Sequence, residues 1–141
     1  MRPMLMNHLK FFQALSLFAV SLLVGCSGGA TDTPELSQVT GKITMDGAPL
    51  TKASITFQPV SGSSSVGMTD ETGEYVLAYN RNTNGAVPGK HTVRISKRGE
   101  AGSPNDTEDQ VPVQFNRDSK LTAEVKPGEN TINFDLDSKA K

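Results

Sequence analysis

From Val39 onward the chain alternates between apolar and polar residues. Val39, Gly41, Ile43 and Met45 fall on one face, and Thr40, Lys42, Thr44 and Asp46 on the other. A period of two marks a half-buried strand. The pattern recurs at Ala53, Ile55 and Phe57, at Tyr75, Leu77 and Tyr79, and at Val93 and Ile95. It recurs again at Leu121, Ala123 and Val125, and at Ile132, Phe134 and Leu136. Val66 to Thr69 predicts one more short strand. No segment after residue 30 holds a helical period. About seven short strands, separated by turn residues, predict an all-β fold, a β-sandwich over 38–137. Asp46-Gly47 and Pro88-Gly89 predict chain reversals. In Thr69-Asp70-Glu71-Thr72-Gly73-Glu74-Tyr75, Asp70 can accept backbone N–H bonds and Gly73 supplies positive φ. Ala53 is small where two sheets are expected to come close.

Ahead of this domain the pattern changes. Arg2 and Lys10 precede an apolar run from Phe11 to Gly25, broken only by Gln13, Ser16 and Ser21. The run is short for a spanning helix, which needs about 20 apolar residues. A basic start before such a run predicts a secretory signal peptide, 1–25. Its end, Leu23-Val24-Gly25-Cys26, resembles the bacterial lipobox. The resemblance implies diacylglycerol on the Cys26 thiol, cleavage after Gly25 and acylation of the new amine. The location implied is the bacterial cell envelope, with a membrane as partner through the lipid. Residues 26–37 are mostly small and polar, so a flexible tether is expected there. Residues 138–141 form a short tail.

Composition narrows the function. Lys and Arg total 14 against 15 Asp and Glu. Cleavage would leave a net charge of −3, without the basic excess of a nucleic-acid binder. The single Cys excludes an internal disulfide, and two His exclude a multi-His metal site. No Walker loop, dinucleotide fingerprint or G-x-S-x-G is present, and no cofactor is expected beyond the lipid.

Taken in order, several segments resemble one family. They are Val39-Thr40-Gly41-Lys42-Ile43, Asp46-Gly47-Ala48-Pro49-Leu50, Ala53 to Pro59, Thr69 to Tyr75, Gly85 to Ile95, and Val125-Lys126-Pro127-Gly128-Glu129-Asn130. Together they resemble the bacterial carboxypeptidase regulatory-like (transthyretin-like) domain lipoproteins. The resemblance implies a seven-stranded prealbumin-like sandwich. It implies no catalysis, because the zinc site of carboxypeptidases belongs to another domain.

Candidate chemistry is sparse. His91 shares a face with Val93 and Ile95, so a half-buried packing role is expected. Asp106, Glu108 and Asp109 could offer oxygens to Ca²⁺, but their spacing matches no full EF-hand loop. Arg94, Lys97 and Arg98 form a small basic spot. Asn105-Asp106-Thr107 matches a glycosylation sequon, discounted in a bacterium. Lys42 and Asn133 lie on polar faces, where an isopeptide bond is not expected, since that reaction needs a desolvated Lys. The expectation is a non-catalytic envelope module that binds protein or serves a structural role. A carbohydrate-binding accessory domain is the alternative, and a small hydrolase a third. Tyr79 and Phe115 side by side in solvent would favour sugar. A deep pocket holding His91 and a carboxylate would favour an enzyme.

Overall fold

The computed structural model describes residues 33–99, 102–104, 106 and 108–140. The predicted signal peptide, the lipobox residues Leu23, Val24, Gly25 and Cys26, and the first part of the tether lie outside them.

The described chain forms eleven short strands: β1 (Gln38–Met45), β2 (Ala48–Pro49), β3 (Ser54–Pro59), β4 (Ser65–Met68), β5 (Glu74–Val76), β6 (Ala78–Asn80), β7 (Thr83–Asn84), β8 (Gly89–Ser96), β9 (Thr122–Val125), β10 (Glu129–Thr131) and β11 (Phe134–Leu136). They build two sheets. In the first, β1 is central, with β10 and β11 parallel to it on one side and β5 and β2 antiparallel on the other. The second runs β7-β6-β4-β3-β8-β9.

The seven expected segments are all present. One of them is broken in two, and three additional strands, β2, β7 and β10, are two or three residues long, too short for alternation to show. The segment Tyr75 to Tyr79 breaks at Leu77 because β5 pairs with β1 in one sheet and β6 with β4 in the other. Leu77 is fixed at this crossing: its N–H donates to Val39 and its carbonyl accepts from Gly85. Tyr75 and Leu77 are therefore buried, whereas Tyr79 is only half-buried. The last segment pairs only from Phe134, in β11, because Ile132 and Asn133 lie between β11 and the additional strand β10.

Both sheets turn their apolar faces to a common core. Val39 and Ile43 from the first sheet, and Ile55, Phe57, Val93 and Ile95 from the second, are fully buried. Each such side chain contributes roughly 1.5–3 kcal/mol. Phe57 sits at the centre, 6.2 Å edge-on from Phe134 and 6.5 Å from Tyr75 between ring centroids. Ala53 is fully buried, and its N–H and carbonyl bond the hydroxyl and N–H of Thr69.

In β4 the apolar side chains point outward. Ser65 and Gly67 face in, while Val66 and Met68 are 47% and 67% exposed. A Cβ on Gly67 would stand 2.8 Å from the Val76 carbonyl oxygen. Close crossing of β5 over β4 thus leaves only glycine at the inner position.

Backbone pairing reaches back to Ser37, just ahead of β1. Ser37 is 2% exposed and exchanges backbone hydrogen bonds with Ala86. At the other terminus, Ser138 donates its N–H to Asp46 Oδ1 at 3.0 Å, and Gln114 donates to the Ala140 carbonyl.

Candidate functional site

The acidic and turn residues singled out from sequence work mainly on backbone. Asp46 and Gly47, with φ of 52° and 82°, close the hairpin between β1 and β2, where Met45 faces Ala48. A type I′ turn needs positive φ at both central residues. Asp46 also accepts from the Ser138 hydroxyl and N–H, which hold its carboxyl below the usual carboxylate range. Asp70 Oδ1 accepts from the Thr72 hydroxyl (2.7 Å) and from the N–H groups of Thr72 (2.8 Å) and Glu74 (3.0 Å). Those bonds, the hydroxyl's first, likewise lower the Asp70 carboxyl. Gly73 has φ of 81°, and a Cβ there would lie 2.7 Å from the Ile43 carbonyl oxygen. Pro88 leads into Gly89, whose φ is 126°.

Asp109 is the most connected of these carboxylates. Its side chain is only 10% exposed. It accepts from the Ser96 hydroxyl (2.5 Å), the Lys97 N–H (2.9 Å), the Val111 N–H (3.0 Å) and the Asn116 amide. Arg98 Nε stands 3.5 Å away. Burial pushes this carboxyl up, but the hydrogen bonds outweigh it and hold it below the usual range. Asp106 instead accepts from the Gly102 N–H at 3.1 Å, and Glu108 is exposed. The three weak calcium candidates are therefore not brought together. Among the described residues no group of three metal-ligating side chains converges. The basic spot also divides: Arg94 donates to Gln58, and Arg98 turns to Asp109.

His91 departs from expectation in degree. It is 1% exposed rather than half-buried. Nε2 lies 2.7 Å from the Val87 carbonyl oxygen, the ring packs 5.6 Å from Phe57, and Nδ1 has no hydrogen-bond partner. The pairing of His91 with Ala123 on one side and Pro59 on the other carries its side chain inward. The shallow hollow beside it, about 400 Å³, is otherwise lined by Gln58, Pro59, Val60, Lys90, Thr92 and Arg94, none of them a carboxylate. Tyr79 and Phe115 do not meet. Phe115, in a 3₁₀ turn (Val113–Phe115) against β8, packs on the core, whereas β6 is separated from β8 by β4 and β3.

Alternation did not reveal the contact that closes the first sheet. The Ile132 carbonyl accepts from the Tyr75 hydroxyl at 2.7 Å, directly over Gly41. A Cβ on Gly41 would stand 1.7 Å from that oxygen. Burial raises the Tyr75 phenol far above its ordinary value. Two asparagines complete the edge. Asn133 Oδ1 accepts the Lys42 N–H (2.9 Å). Asn130 accepts from the Lys126 N–H (2.9 Å) and donates to the carbonyls of Lys126 (2.8 Å) and Gln38 (3.1 Å). Outside this edge runs a groove of about 720 Å³, lined by Thr40, Lys42, Glu74, Val76, Thr131 and Asn133 among others.

The described chain is thus an all-β, two-sheet sandwich. No protein-family model and no curated protein matches it. Among solved structures it is similar to a DUF3823 family protein from Parabacteroides merdae. Identity is 15% and the TM-score 0.40; the match covers 73% of this chain and 46% of that one. The chain therefore spans less than half of that protein's length.

Proposed function

We propose that the chain is a lipid-anchored, non-catalytic β-sandwich module of the bacterial cell envelope, of the carboxypeptidase regulatory-like kind. It acts through its sheet surfaces and loops on envelope proteins or as a structural element. The observation that carries this reading is Leu23-Val24-Gly25-Cys26 at the end of an apolar run, ahead of a single sandwich. Supporting it, the carboxylates of Asp46, Asp70 and Asp109 are engaged with backbone and hydroxyl donors, and His91 is packed in the core.

Metabolic labelling with a fatty-acid analogue tests it, with salt and carbonate extraction alongside. One acyl chain holds only marginally, at about 0.8 kcal/mol per buried CH₂, whereas several chains hold almost permanently. Wild type should take the label and resist salt, since an apolar anchor is not screened by ions. Cys26→Ser should fold, stay uncleaved and lose the label. Unlabelled wild type that washes off with salt would overturn the proposal.

A further inference from the structure

The outward face of the first sheet carries side chains with bonding capacity left over, and strand register sets their order. One row runs Thr131, Thr40, Val76 across β10, β1 and β5. The next runs Asn133, Lys42, Glu74, Asp70. Asn133 Oδ1 takes the Lys42 N–H, Glu74 faces Lys42, and Asp70 takes the Glu74 N–H at 3.0 Å. Met68, 67% exposed, stands with Val76 at the wall of the same groove of about 720 Å³. Lys42 and Glu74 are both exposed, yet among the described residues no ion pair joins them. Glu74 turns one oxygen to the Thr72 hydroxyl instead. The face is not an open sheet edge. The Asp70 N–H donates to the Glu74 carbonyl at 2.9 Å, so the backbone on the outer side of β5 is already met there. Recognition at this face falls to side chains.

We infer that this face binds a second copy of the chain, about a two-fold axis that runs parallel to β1 between β1 and β5. The inference stands apart from the anchor reading, since every residue in it lies within the sandwich. Charge complementarity carries it. On one side of the axis lie the Asn133 amide and the Lys42 ammonium, and on the other the Glu74 and Asp70 carboxylates. A two-fold interface sets one patch against itself, so that residue i meets j and j meets i. Turned about this axis, the row falls on itself in reverse. Lys42 comes over Glu74 of the second copy, and Asn133 over Asp70 of the second copy. In the neighbouring row Val76 comes over Thr40, and Met68 over Thr131. The exposed apolar side chains thus leave water as the charges pair. On the outer face of the second sheet, by contrast, Arg94 already donates to Gln58. A patch of two rows is smaller than the roughly 20–30 residues a side of a stable interface, so the association is weak and reversible.

Sedimentation of the full chain in detergent, over a range of protein concentrations, tests it. Wild type should pass from monomer to dimer, and salt should weaken the dimer, because exposed charge pairs are screened. Lys42→Glu and Glu74→Lys each bring like charges together and should each weaken the dimer about tenfold or more. Both replace exposed side chains, so thermal melts should show the fold retained. Mixed together, the two variants should recover the dimer, because each then meets the opposite charge on the other. Lys90→Glu, on β8 of the second sheet, should leave the dimer unchanged. A dimer that neither reversal weakens is held elsewhere in the chain and overturns the inference. A mixture that stays monomeric overturns it too. Wild type that is monomeric at every concentration also overturns it and leaves the face to a different partner.

Discussion

Gly41→Ala tests the closure of the first sheet most directly. Gly41 has no unusual backbone angle, so strain in φ is not the issue. The issue is space. The new methyl would start 1.7 Å from the Ile132 oxygen, 2.7 Å from its carbon and 2.9 Å from Tyr75 Cε1. Two of these are backbone atoms, which no side-chain rotation relieves. The Ile132 peptide must move outward, and the Tyr75 hydroxyl, on a residue 2% exposed, loses its acceptor. Overpacking costs about 1–3 kcal/mol. A buried donor left unmet costs about another 1–3 kcal/mol. Alanine recovers roughly 0.5–1 kcal/mol of glycine's backbone entropy. The net loss is about 1–5 kcal/mol, a large share of a stability of order 5–15 kcal/mol. For a domain near 100 residues that lowers Tm by roughly 5 °C or more. Thermal and urea melts of the full chain, in a Cys26→Ser background, read the change. Tyr75→Phe removes only the hydroxyl and should cost about 1–2 kcal/mol. The double variant should cost less than the sum, because both changes lose the same bond. A Gly41→Ala melt indistinguishable from the parent would refute this packing.

Gly73→Val should lower stability by about 1–3 kcal/mol, read as a urea midpoint shift, because a β-branched residue resists φ of 81° and its Cβ meets the Ile43 carbonyl. Asp46, Asp70 and Asp109 all have folded-state carboxyls lowered from the ordinary value. Their contribution is therefore complete above about pH 4 and is lost as pH falls through their folded values, so the urea midpoint should drop in that acid range. Asp109→Asn should cost on the order of 2 kcal/mol at pH 7 and flatten part of that drop; a profile identical to wild type would count against the Asp109 hub. Millimolar Ca²⁺ should leave the melt unchanged. A gain near 2.7 kcal/mol, as binding at a hundred times Kd gives, absent in Asp106→Asn/Asp109→Asn, would show that those carboxylates do converge on a cation.

The strands were legible where alternation ran for three or more pairs of positions. Val39 to Met45 and His91 to Ile95 bury the faces their spacing indicates. Legibility failed at corners. The Tyr75 to Tyr79 alternation continues unbroken across Leu77, although the chain there leaves one sheet for the other. Period two records which side is apolar, not which neighbour the backbone bonds. β4 misleads for another reason: Val66 and Met68 are the apolar residues, yet Gly67 faces in because β5 crosses too closely for any Cβ. The turn residues were the easiest to read, since Gly73 and Asp46-Gly47 announce their φ in residue type. Gly41 gave no such signal. Its need is for space against Ile132, 91 positions later, and only the folded chain brings the two together.

A common cause links several polar residues of the described chain. Strands of two to four residues leave many backbone N–H groups at corners without a ladder partner, and such groups are costly when unmet. Asp70 meets those of Thr72 and Glu74, Asp109 those of Lys97 and Val111, Asn130 that of Lys126 and Asn133 that of Lys42. A side chain engaged in this way is held in one geometry by the fold, and its loss is felt first as instability. Variants at these positions should therefore change melting before they change any partner's binding. On the proposed reading, recognition falls to side chains that no corner needs: the outward faces of β4 and β5, where Val66, Met68 and Val76 are exposed, and the Val60 loop. Substitution of these residues leaves the core and the corner bonds in place, which makes them the positions where binding can be separated from folding.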